Sequence, residues 1–106
     1  MKSLSLPLLF SLLVFGTSKL DAQKISGFVS DNIQTLIGVS ITVEELNTGT
    51  STDEFGYYEL KLKPGAYTIT ASYIGYISTS KKVVLVENKD LQLDFDLSQG
   101  VLVDEI

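Results

Sequence analysis

From Lys24 to Leu97 the sequence alternates apolar and polar residues with a period of two, and that pattern restricts the chain to pleated sheet. Val39, Ile41 and Val43 alternate with Ser40, Thr42 and Glu44. Tyr58, Leu60 and Leu62 alternate with Glu59 and Lys61, and Tyr67, Ile69, Ala71 and Tyr73 with Thr68, Thr70 and Ser72. The last run sets Leu91, Leu93, Phe95 and Leu97 against Gln92, Asp94, Asp96 and Ser98. Each run offers one apolar face to a core and one polar face to water, as antiparallel strands do. No window in this region carries the 3.6-residue stripe of a packed helix.

Turn residues fall between these runs. Asn47 to Thr50 reads as a tight turn containing Gly49, and Asp53 to Gly56 as a second, because Asn, Asp and Gly accept the backbone angles that turns require. Lys63-Pro64-Gly65-Ala66 reads as a type II turn, with Pro64 presetting φ and Gly65 in the left-handed position. Glu87 to Asp90 separates the last two strands. The expected strands are Ile25–Ser30, Val39–Leu46, Thr50–Thr52, Tyr57–Leu62, Tyr67–Tyr73, Ser78–Val86 and Leu91–Leu97. Short strands at this spacing make an all-β, seven-stranded antiparallel sandwich of small size. Gly75, between Ile74 and Tyr76, breaks the alternation and reads as a bulge or bend that lets one strand serve both sheets. On that basis Gly75→Val should be more damaging than Gly49→Ala, which alters an exposed turn.

Residues 1–22 read differently. Lys2 precedes an apolar run from Leu4 to Phe15, and a polar stretch ends in Asp21-Ala22-Gln23, the layout of a secretory signal peptide cut after Ala22. Leu20 is an imperfect residue three positions from the end of that segment. The run, interrupted by Ser5, Pro7 and Ser11, falls short of the roughly 20 residues of a membrane span. No cysteine follows to carry a lipoprotein anchor. Removal of 22 of the 106 residues leaves 84, with six lysines, twelve acids and a net charge of −6 in place of −5.

Composition narrows the chemistry. All eight basic residues are lysines, so bidentate arginine contacts to phosphate or guanine are absent, and the acidic balance repels nucleic acid. There is no cysteine and no histidine, which removes disulfides, Ser-His and Cys-His catalysis and nearly every zinc site. No catalytic, cofactor-binding or metal-binding residue is assigned.

Three stretches carry a resemblance: "ISGFVSD" (Ile25 to Asp31), "GTSTDEFGYYEL" (Gly49 to Leu60) and "LKPGAYTITASYIGY" (Leu62 to Tyr76). In this order and spacing they resemble the carboxypeptidase-regulatory-like domain, a seven-stranded sandwich with a transthyretin-like or Ig-like fold. The resemblance covers about Lys24 to Leu97. It implies a domain over residues 23–98 with structural turn or bulge positions at Gly49, Gly56, Pro64, Gly65 and Gly75. The family's D-x-x-G-x-P-L-x-G loop is replaced by "DNIQTLIG", Asp31 to Gly38, one residue shorter and without the inner glycine or proline. The family has no zinc site, and its name implies no peptidase activity. In exported proteins of Bacteroidetes-type bacteria such a domain commonly opens a TonB-dependent outer-membrane receptor, ahead of its plug and barrel. The resemblance therefore implies a non-enzymatic periplasmic accessory domain. Its partners would be the plug and barrel of the same receptor and the energising TonB-type inner-membrane complex. "GVLVDEI" resembles the start of the linker toward the plug, placed at residues 99–106. The alternative is a stand-alone secreted module that binds a glycan or a surface protein.

Sharper sites weigh less. Asp31, Asp53, Glu54, Glu87, Asp90, Asp94 and Asp96 lack the D-x-D-x-D-G spacing of a calcium loop, and Asp94 and Asp96 read as a solvated strand face. Among the tyrosines, Tyr58, Tyr67 and Tyr73 fall on the inward register, leaving Tyr57 and Tyr76 as candidates for exposed contact. A Lys24–Asn47 or Lys24–Asn88 isopeptide lacks a buried acid, and paired carboxylates for glycoside hydrolysis lack a cleft.

Overall fold

Two four-stranded sheets stack face to face in the computed structural model, which describes residues 22–100. The strands are β1 (Gln23–Ser30), β2 (Ser40–Val43), β3 (Thr48–Ser51), β4 (Tyr57–Leu62), β5 (Gly65–Ser72), β6 (Thr79–Leu85), β7 (Leu91–Gln92) and β8 (Phe95–Asp96). One sheet has the order β4-β1-β7, with β8 also on β1, and the other β3-β2-β5-β6. There is no helix among the described residues. The segment read as a signal peptide lies outside them, apart from Ala22.

Alternation decides which side chains meet between the sheets. Ile25 and Val29 from β1, Tyr58, Leu60 and Leu62 from β4, and Phe95 from β8 face Ile41 and Val43 from β2 and Ile69 and Ala71 from β5. Leu85 from β6 and, outside the strands, Leu36, Val39 and Leu97 complete this layer, and Tyr67, Tyr73, Leu91 and Leu93 pack against it half-buried. Burial of such side chains is worth about 1.5–3 kcal/mol each, so this one layer supplies the main driving force of folding.

The closing segment departs from the sequence-based expectation. Leu91–Leu97 does not form one antiparallel strand: β7 and β8 both run parallel to β1, with Ile25 opposite Leu91 and Val29 opposite Phe95. Alternation is blind to direction, which is why the antiparallel reading went too far here. The break lies at Leu93-Asp94. The Leu93 carbonyl accepts from the buried Tyr58 hydroxyl, while Asp94 Oδ1, rather than a main-chain carbonyl, accepts from Phe28 N at 2.9 Å. Regular pairing resumes where Leu97 N donates to Ser30 O at 2.8 Å.

Three turn assignments also move. The β2–β3 turn spans Glu44 to Asn47, with Asn47 at φ 55°, and Gly49 lies inside β3 opposite Thr42. Gly65 has a φ of 156° and pairs with Leu85 as the first residue of β5, so it does not hold the left-handed position of a type II turn. Gly75 has a φ of 87°, yet it sits in the loop between β5 and β6, two strands of the same sheet. It does not bend a strand from sheet to sheet. The β1–β2 loop, the β3–β4 turn, Lys63-Pro64 and the stretch from Val86 to Asp90 carry the chain across instead.

Candidate functional site

Three connections and the C-terminal run meet at one end of the sandwich: the β1–β2 loop, the β3–β4 turn, the β5–β6 loop and Leu97 to Gly100. Asp31 organises the first. Its Oδ1 accepts from Ile33 N at 2.8 Å and Gln34 N at 2.9 Å, and its own N–H donates to Gln34 O. The shortened "DNIQTLIG" loop thus closes as an Asx turn and needs no inner glycine. Leu36 then turns inward, its N–H donating to Val29 O at 2.9 Å. Thr52, 4% exposed, clamps the end of this loop by accepting from Val39 N at 2.9 Å and donating to Leu36 O at 2.6 Å.

Asp31 also reaches the β5–β6 loop. Tyr76 donates its hydroxyl to Asp31 Oδ2 at 2.6 Å, its ring lies 5.7 Å from that of Tyr73, and its backbone bridges to Gln99. The hydrogen bond from Tyr76, reinforced by those from Ile33 and Gln34, holds the Asp31 carboxyl below its usual range. The same bond raises the Tyr76 hydroxyl above its usual value of 10.0. Gly100 N donates to Gly75 O at 2.9 Å, so the end of the described chain is fastened to this loop too. Tyr76 is therefore half-buried and engaged.

The β3–β4 turn is built by Asp53, whose Oδ1 accepts from Phe55 N at 2.8 Å and Tyr57 N at 3.0 Å. Gly56 (φ 79°) completes it, and an added Cβ would come within 2.9 Å of Val29 O. Tyr57 lies half-buried on the outer sheet face, its ring 5.3 Å from the exposed ring of Phe28.

Asp31, Asp53, Glu54, Glu87, Asp90, Asp94 and Asp96 are spread apart, and among the described residues no three metal-ligating side chains converge. Asp90 accepts from Lys24 N, Asp31 and Asp53 build turns, and Glu45 accepts from both Thr68 N and Thr68 Oγ1, which lowers its carboxyl. Asp94 is more than a solvated residue of a strand face: besides holding Phe28 N, its main-chain oxygen accepts from Lys81 Nζ at 2.7 Å. Lys81 in turn lies 5.1 Å from the centre of the Phe95 ring. Burial, then the Asp94 charge, pushes the Tyr58 hydroxyl up, keeping it neutral as donor to Leu93.

Sequence reasoning missed two positions here. Gly27 faces Leu93, where an added Cβ would lie 2.1 Å from the carbonyl oxygen; a glycine interrupting an alternating strand is the signal for such an approach. Thr52 carried no signal beyond its polarity. What remains is an assembly of hydroxyl–carboxylate bonds and loops with exposed apolar side chains, which suits contact with a partner.

A family model described as the CarboxypepD_reg-like domain matches residues 25–106. A TonB-dependent receptor of Formosa agariphila is 36% identical over 93 residues, covering 88% of this chain and 9% of the receptor. Carboxypeptidase D of Homo sapiens is 35% identical over 77 residues, covering 71% of this chain and 6% of the enzyme. The chain thus spans less than a tenth of these relatives. Among solved structures, a type II cohesin–X–dockerin complex from Acetivibrio cellulolyticus aligns with a TM-score of 0.57 at 20% identity, covering 74% of this chain and 58% of that one. A DUF3823 family protein from Parabacteroides merdae aligns with a TM-score of 0.53 at 18% identity, covering 76% and 48%. At these identities the structural matches establish the sandwich fold alone.

Proposed function

The chain belongs to the CarboxypepD_reg-like domain family, and from that membership we propose that it is a non-enzymatic accessory domain of a TonB-dependent outer-membrane receptor. The observation that carries the proposal is the match of 88% of this chain to 9% of the Formosa agariphila receptor: nearly the whole chain corresponds to one small part of that receptor. In this reading residues 1–22 export the protein, residues 23–98 form the domain on the periplasmic side, and the stretch from residue 99 leads toward a plug. The domain makes protein contacts with the plug and barrel of its own receptor and with the TonB-type inner-membrane complex, and nucleic acid is not a partner. Two observations support a binding role over catalysis. Asp31, Asp53, Asp90 and Asp94 are committed to turns and strand pairing, and the chain lacks cysteine and histidine.

The Phe28–Tyr57 ring pair on the outer sheet face, with Phe28 exposed and Tyr57 half-buried, favours a second reading, a stand-alone secreted module that stacks a glycan on these rings. Fractionation of the native host, probed with antibody to the domain, separates the two. The receptor reading expects a band far above 11.6 kDa in the outer membrane, protected from protease in intact cells and cleaved once that membrane is permeabilised. A small protein in the medium, retained on a glycan column through Tyr57, would replace it.

A further inference from the structure

The large apolar side chains left in water are unevenly placed. Ile33, Ile37, Phe55, Ile74 and Ile77 are 83, 55, 65, 89 and 56% exposed, and all five belong to the loops at the end where the described chain leaves the fold at Gly100. At the opposite end, Leu46 and Val86 are the exposed large apolar residues in the connections. Charge is divided in the same way. Asp31, Asp53, Glu54 and Asp96 surround the exit end, whose loops carry no lysine, whereas at the other end Lys24, Lys61, Lys63 and Lys89 are matched by Glu44, Glu45, Glu87 and Asp90. The exit-end loops are also fixed in advance. Tyr76 ties them to Asp31, Thr52 clamps Leu36 to Val39, and Gly100 is bonded to Gly75. Association with a preformed surface avoids much of the entropy cost of ordering it.

We propose that this end is a docking face for the polypeptide that follows residue 106 in the receptor, and that its occupant is an apolar patch with a basic rim. The proposal rests on the receptor reading above. The described residues end on the face itself, where Gly100 lies beside Ile77, and a domain tethered there is held at high effective concentration, so moderate apolar contact suffices to seat it. An acidic rim around isoleucines selects a basic counterpart and disfavours an acidic one.

Reading the frame downstream of Ile106 tests the premise, and hydrogen exchange tests the docking. In the full-length polypeptide the amides of residues 31–38 and 73–78 should exchange more slowly than in the 106-residue chain. An Ile33→Asp/Ile74→Asp double variant should lose that protection, and a Leu46→Asp/Val86→Asp control should keep it. The Ile33→Asp/Ile74→Asp variant of the 106-residue chain should retain its unfolding midpoint, since both side chains are exposed. Equal exchange in the long and short chains would overturn the docking and leave the receptor reading standing. A frame that stops at Ile106 would remove both. Self-association of the 106-residue chain that Ile33→Asp/Ile74→Asp abolishes would assign the face to a second copy and overturn the proposal.

Discussion

A glycine tolerates a side chain only where the backbone around it leaves room for a Cβ, and three glycines here differ sharply on that count. At Gly27 an added Cβ would lie 2.1 Å from Leu93 O and 2.6 Å from the Leu93 carbonyl carbon, inside the core sheet. At Gly49 it would lie 2.3 Å from Ile41 O, although there the edge strand β3 can move. At Gly75 it would meet nothing within 4 Å, so alanine incurs only the positive-φ penalty of about 1–2 kcal/mol. The expected order of destabilisation in urea is therefore Gly27→Ala, then Gly49→Ala, then Gly75→Ala. This removes the mild status that the sequence suggested for Gly49. A Gly27→Ala midpoint equal to wild type would contradict the close approach of Leu93. The Asp31–Tyr76 bond makes a pH prediction. Asp31 is depressed in the fold, so its contribution is complete above its ordinary value of 3.8 and disappears as pH falls through the lower folded value. Tyr76 is raised, so its contribution is complete below 10.0 and is lost as pH climbs through the higher folded value. Tyr76→Phe should lower Tm between these limits and weaken, without abolishing, the acid dependence, because Ile33 and Gln34 still donate to Asp31. A Tm–pH curve parallel to wild type at both ends would show that the bond does not form in solution.

Among the elements, the segment Leu91–Asp96 depends most on specific side chains, since β7 and β8 are two residues each. Asp94 substitutes for a ladder carbonyl at Phe28, and Lys81 covers the Asp94 main-chain oxygen from the facing sheet. Asp94→Ala should destabilise by about 1–2 kcal/mol, the cost of a lost hydrogen bond with a partly unsatisfied amide, and should speed exchange at the Phe28 amide more than at Val29. Uniform acceleration across β1 would mean that Asp94 acts only through global stability. The elements themselves were largely legible in the sequence. The inward residues Val39, Ile41, Val43, Tyr58, Leu60, Leu62, Ile69 and Ala71 follow from period two because burial in a sheet is a one-dimensional property of the strand. Direction and register are not. The parallel pairing of β7 and β8, the shift of Gly49 from turn to strand and the place of Gly75 all depend on which distant segment lies alongside. The loop end was legible only as glycines and tyrosines. That Asp31 joins Tyr76 across 45 residues is a consequence of the completed sandwich.

For the molecule as a whole, the first strand has to find the last segment before its own sheet is finished. Lys24 bonds Asp90 and Phe28 bonds Asp94, each across a separation of 66 residues, and β1 lies between β4 on one side and β7 and β8 on the other. Contacts of such long range imply folding in milliseconds to seconds, well behind helical domains of similar length. They also imply that stability cannot be divided between the two halves of the chain. Phe95 and Leu97, each 2% exposed, fill the layer between the sheets against residues from both. Removing a buried Phe side chain costs about 3–5 kcal/mol and a buried Leu about 2–5 kcal/mol, while a domain of this size has roughly 5–15 kcal/mol in total. A chain ended after Glu87 should therefore lack cooperative unfolding in urea. Phe95→Ala in the intact chain should keep a single transition at a lower midpoint. A truncated chain with a sharp urea transition and a native-like β spectrum would show that β1 to β6 form an independent unit, and that β7 and β8 only decorate it.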